Sequence, residues 1–170
     1  MNKSEIIALI ATEMEAILDT AKQMDDHTFF LGIAGKWSIA ENIEHLHLSV
    51  KPLNQALILP FFAFRWLFGR PNRTSRTFEG LSEKYTQKLS AGGRATKAFI
   101  PRATGTKAEI LMRFEKTHRM FLSKIQHIAE SDLEGHILPH PLLGKLTLLE
   151  MLFFTAFHIR HHHNIVLKAL

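Results

Sequence analysis

The chain has 170 residues, 46% of them hydrophobic and 22% charged, and no cysteine. That length and balance suit one domain around one core. The missing cysteines exclude disulfides, thiol nucleophiles and cysteine-type zinc sites, and they are compatible with a reducing cytoplasm, where the protein is expected.

The N-terminal stretch carries Glu5, Glu13 and Glu15 inside an apolar pattern, which is not the pattern of a signal peptide. Asn2 with Glu5 has capping-box spacing, and Ile6, Leu9, Ile10, Met14, Ile17 and Leu18 form an apolar stripe. A first helix is predicted from Lys3 to Met24. Residues Thr28 to Lys36, with Gly32 and Gly35, read as a loop.

Ser38 with Glu41 opens a second helix along Ile39, Ile43, Leu46 and Val50. Pro52 should end or kink it, because proline lacks an N–H and crowds the preceding turn. The longest apolar run, Ala56 to Phe68, contains Pro60 and Arg65 and is too short to span a bilayer, so no membrane partner is expected. Its aromatic part, Phe61–Phe68, suits a short core helix or a subunit interface, with core packing preferred.

The net charge of +5 is not evenly spread. Between Phe61 and Lys107 ten basic residues face two acidic ones, and Gly69 to Gly105 is the least regular part of the chain. A short helix is expected from Phe78 to Leu89, and the remainder as a solvated loop. Arg94, Lys97 and Arg102 could meet an anionic small molecule. Nucleic acid is not an expected partner, because the aromatics cluster at Phe61–Phe68 and do not interleave with the basic residues as a stacking platform requires.

Thr106 with Glu109 opens a third long helix to about Ala129, striped by Ile110, Phe114, Phe121, Ile125 and Ile128. Ser131 to Lys145 reads as a loop, and no strand is expected anywhere. Thr147 with Glu150 opens the last helix, predicted to reach Leu170. Four periodic segments, each headed by a capping box, predict an all-α four-helix bundle covering residues 1–170. A long crossover joins its second and third helices.

His158 and His162 share one face of the last helix, since four residues at ~100° each bring the rings within ~40° of one another. That is half of a transition-metal site. The second helix offers His45 and His47, which lie ~200° apart and cannot serve one ion together; spacing alone leaves both open.

Three segments, taken in order, resemble the DinB-like proteins. Trp37-Ser38-Ile39-Ala40-Glu41-Asn42-Ile43-Glu44-His45-Leu46 is similar to the W-S-x-x-E-x-x-x-H-L opening of their second helix. His140-Pro141-Leu142-Leu143-Gly144-Lys145-Leu146-Thr147 is similar to the H-P-x-x-G-x-L-T lead into their last helix, and His158 with His162 to their terminal H-x-x-x-H.

The resemblance implies a homodimeric four-helix bundle with a divalent transition metal, nickel or zinc, held by His45, His158 and His162. It further implies a metal-dependent hydrolase or a transferase that uses a low-molecular-weight thiol. A non-catalytic metal-binding or stress-related module is the alternative. Three neutral imidazoles leave a coordination position open, which suits an ion that activates water or a thiol. Glu41 could orient His45, although capping Ser38 is its simpler role, and Trp37 could wall the pocket. The chain departs from the family pattern at Ile165, where many members have Gln. His161 and His163 also crowd the site, and His161 could substitute as a ligand.

Overall fold

The structure, a computed structural model, describes residues 1–32 and 35–168. Ile33 and Ala34 of the expected Thr28–Lys36 loop, and the last two residues of the expected final helix, lie outside the described residues. Four long helices make the bundle: α1 (Lys3–Lys22), α3 (Ile39–Ala56), α6 (Lys107–Gln126) and α8 (Leu148–Leu167). Each opens on the expected capping box, with Asn2, Ser38, Thr106 and Thr147 accepting from the third backbone N–H and the Glu there accepting in return. Two orphan donors are satisfied at each start, so the sequence signal has a direct physical cause.

Around the bundle α1 packs on α6 and α8, and α3 packs on the same two helices. Apolar residues at helical spacing fill the centre, including Ile6, Ile10, Met14, Ile43, Phe114, Phe121, Leu152 and Ile159. Burying each such side chain contributes about 1.5–3 kcal/mol. Truncating Phe114 to alanine at the centre costs about 3–5 kcal/mol, because the cavity adds to the lost transfer energy.

The crossover between α3 and α6 is structured. It holds α4 (Phe61–Phe68), α5 (Phe78–Ser90) and a 3-10 turn at Lys97–Phe99. Two smaller helices, α2 (Asp26–Phe30) and α7 (Glu130–Gly135), complete the helical set among the described residues. Three expectations are corrected. Of the two outcomes expected at Pro52, an end is overturned: helix α3 runs through it to Ala56, and the proline side chain is exposed, where water is available for the carbonyl that loses its partner. The stretch read as a loop before α8 contains α7 and an antiparallel hairpin, β1 (Ile137–His140) and β2 (Gly144–Thr147). Finally, α4 is only partly a core helix. Phe64 is fully buried, while Phe62 and Trp66 are 76% and 83% exposed.

The basic crossover is fastened to the bundle. Glu150, fully buried in the first turn of α8, accepts from Arg73 Nη1 and Nη2 at 2.7 and 2.8 Å. It also accepts from Arg76 N and Nη1, both at 3.0 Å, and from Thr147 N at 3.0 Å. Burial alone raises the pKa of this carboxyl, but the Arg73 guanidinium and the N–H groups of Arg76 and Thr147 outweigh it and hold it below the usual value. One residue therefore caps the last helix and anchors the loop that crosses it.

Candidate metal centre

Helix α3 presents His45 about two turns after its cap Ser38, and α8 presents His158 and His162 from its second half. Because α3 and α8 are neighbours, the three rings meet inside the bundle. All are buried, at 6%, 3% and 5% exposure. His158 Nε2 lies 3.2 Å from His45 Nε2 and 3.1 Å from His162 Nε2. Two nitrogens each ~2.05 Å from one tetrahedral ion stand ~3.3 Å apart, so the spacing suits a shared metal.

The opposite nitrogens fix the protonation pattern. His45 Nδ1 donates to the Phe99 carbonyl at 2.7 Å. His162 Nδ1 donates to Asn42 Oδ1 at 2.7 Å. The Asn42 amide orientation is itself set, since its Nδ2 donates to the carbonyls of Trp37 and Ser38 at 3.2 and 2.8 Å. A neutral imidazole with its proton on Nδ1 carries a lone pair on Nε2. Two lone pairs therefore converge on His158 Nε2, and a single N–H there could answer only one of them. A cation answers all three, so the donor set fits a metal ion. Within the described residues these are the histidines, cysteines and carboxylates whose ligand atoms gather closely enough to hold one.

Burial also keeps the rings neutral. The His158 and His162 pKa values lie well below the ordinary 6.5, first because the rings are buried and then because the neighbouring imidazoles repel a second charge. His45 is lowered by burial, with the Phe99 carbonyl opposing. Trp37 walls one side. Its ring stacks on His162 at 6.1 Å between centroids and tilts over His45 at 4.8 Å.

A sequence model of the DinB superfamily matches residues 9–166. The chain belongs to the DinB superfamily. Among solved structures it is similar to YfiT from Bacillus subtilis, described as a probable metal-dependent hydrolase with an unusual four-helix bundle topology. That likeness has a TM-score of 0.65 at 13% identity and covers 98% of this chain and 85% of YfiT. It supports the fold. No curated protein matches significantly.

In this DinB-superfamily chain the other histidines stand aside. His47 points elsewhere, with Nδ1 2.8 Å from Thr117 Oγ1. His163 Nε2 pairs with Thr20 Oγ1 at 2.8 Å. His161 is not one of the convergent three; its ring stands at 87° to that of His162, 5.2 Å between centroids. Glu41 accepts from Ser38 N at 2.8 Å and so serves the cap, while the Phe99 carbonyl takes the place beside His45.

Sequence reasoning did not single out Asn42, Phe99 or Tyr85. Asn42 had a signal, being a polar residue one turn before His45 on the face that must be buried. Phe99 acts through its backbone, which leaves no mark in sequence. Tyr85, the chain's one tyrosine, reaches the site from α5 with its ring 5.9 Å from His158 and 6.1 Å from His161. Burial pushes its phenol up to about 12, so it stays protonated. Arg94, Lys97 and Arg102 are exposed in the segment around Phe99, without a carboxylate partner among the described residues.

Proposed function

We propose that the protein is a metal-dependent enzyme, a hydrolase before a thiol transferase, whose ion is zinc or nickel held by His45, His158 and His162. The observation that carries this reading is the meeting of three buried Nε2 atoms, two of them fixed as lone-pair donors by Phe99 O and Asn42 Oδ1. When bound, such an ion supplies a Lewis-acidic position for water, a thiol or a substrate oxygen.

The residues around it supply the rest. Phe99 and Asn42 orient two ligands and hold their Nδ1 protons. Trp37 covers two of the rings and limits water. Tyr85 offers a neutral phenol beside His158. Arg94, Lys97 and Arg102, on the segment that contacts His45, favour an anionic small molecule by charge. His161 lies outside the convergent three, which favours catalysis over a closed structural site. The exposed Phe62 and Trp66 of α4 support a homodimer.

The test is turnover. Protein loaded with zinc, and separately with nickel, is assayed against esters, amides and phosphate esters, and against thiol-acceptor electrophiles with several low-molecular-weight thiols. Metal-dependent turnover lost in His158→Ala supports the proposal. A metal-loaded protein inert across both panels argues for the non-catalytic module.

A further inference from the structure

Two of the three convergent histidines have a direct partner for Nδ1, and His158 has none among the described residues. An imidazole that gives Nε2 to an ion carries its proton on Nδ1, and such protons are nearly always accepted by an oxygen. His158 lines a cavity of about 10 Å³ together with Leu46, Ser49, His118, Thr155 and Ile159. This is room for about one water and no more.

His118, on α6, is fully buried and lines the same cavity. Its Nδ1 donates to the Phe114 carbonyl at 2.9 Å, which leaves Nε2 as an acceptor, and that atom has no partner. An unpaired buried acceptor is costly, so one persists only with a reason. Ser49 and Thr155 have already given their hydroxyl protons to the carbonyls of His45 and Met151, both at 2.8 Å. Their oxygens can still accept.

We propose that this cavity binds one structural water that links His118 to His158. The water accepts from His158 Nδ1 and donates to His118 Nε2, and its second hydrogen goes to the Ser49 or Thr155 hydroxyl. Every polar group at the cavity is then satisfied, and the water makes three hydrogen bonds, as buried waters do. His118 thereby becomes a positioning residue: through the water it fixes the ring orientation of His158 and the Nδ1 tautomer. The inference rests on the three-histidine reading above, because only a ring committed through Nε2 needs that acceptor.

Two measurements test it. A high-resolution crystal structure of the wild-type protein is expected to show an ordered water within hydrogen-bonding distance of both His118 Nε2 and His158 Nδ1; a dry cavity overturns the proposal. Zinc affinity by chelator competition is expected to fall ~10–100-fold in His118→Leu and to recover in His118→Gln, which restores an acceptor. The melting temperature of the metal-free His118→Leu protein should stay close to wild type, since Leu occupies a similar volume without an orphan acceptor. A lowered melting temperature with unchanged zinc affinity marks a merely structural His118 and contradicts the inference. Wild-type protein that binds no metal defeats the three-histidine reading and this inference with it, whereas a dry cavity or an unmoved zinc affinity in protein that does bind metal defeats this inference alone.

Discussion

His158 and His162, one turn apart on α8, bring their Nε2 atoms to 3.1 Å inside the bundle, both rings buried. Neither ring could be charged there without a large desolvation cost, and neither carries a carboxylate partner. Helix α3 completes the arrangement from the opposite side by adding a third neutral imidazole, His45, at 3.2 Å from His158.

Asn42 controls His162 through a 2.7 Å hydrogen bond. Replacing it with alanine frees the ring to rotate and leaves the Nδ1 proton unanswered. Zinc or nickel affinity should fall ~10–100-fold, as for other partners of metal-bound histidines. Calorimetric titration of Asn42→Ala checks this; unchanged affinity would remove Asn42 from the site.

Glu150 is predicted to matter for stability more than for chemistry. Glu150→Gln keeps the shape but leaves Arg73 and Arg76 without their counter-charge. Both arginines are partly exposed, at 33% and 27%, so water recovers some of the loss. A decrease of about 2–3 kcal/mol in urea unfolding is expected, together with faster proteolysis of the crossover. Unaltered unfolding would show that the loop is not held by this carboxylate.

Acid sensitivity follows from His118. Burial is the main cause that takes its pKa from 6.5 to about 4; the Phe114 carbonyl opposes and His47 adds to the fall. Between those values the unfolded chain binds a proton that the folded chain refuses, so stability rises with pH across the window. It is complete above the unfolded value and lost as the pH falls through the folded one, a change on the order of 3 kcal/mol. His140, also lowered to about 4 by burial, acts with the same sign. Urea unfolding of metal-free protein at several pH values should show this slope, and His118→Leu should make it shallower, the other buried histidines keeping the rest. An equal slope in the variant would assign the effect elsewhere.

The outward face of α4 gives a prediction about assembly. Phe62 and Trp66 lie one turn apart and are largely exposed. Sedimentation of the wild-type protein is expected to give a dimer, and Phe62→Ser with Trp66→Ser to shift it toward monomer. A wild-type monomer at high concentration would refute the expected homodimer.

Much of this architecture was legible because its causes are local. A capping box lies within four residues, and Asn2–Glu5, Ser38–Glu41, Thr106–Glu109 and Thr147–Glu150 all form as read. The His158–His162 pair follows from helical geometry. The choice of His45 over His47 did not follow from spacing; it needed the resemblance, and in the structure His45 stands beside His158 while His47 pairs with Thr117. The hairpin at Ile137–Thr147 escaped notice because four-residue strands with Pro139 carry little alternation. The hold of Arg73 and Arg76 on Glu150 joins residues more than 70 positions apart, which no window along the chain can show.

The central claim is that three imidazoles on two helices hold one ion. Elemental analysis of protein purified without an affinity tag, with His45→Ala and His162→Ala alongside, tests it most directly. The account predicts about one zinc or nickel per wild-type chain and loss of that ion in both variants, with helical content retained. Stoichiometric metal in either variant, or none in a folded wild-type protein offered both ions, would contradict it.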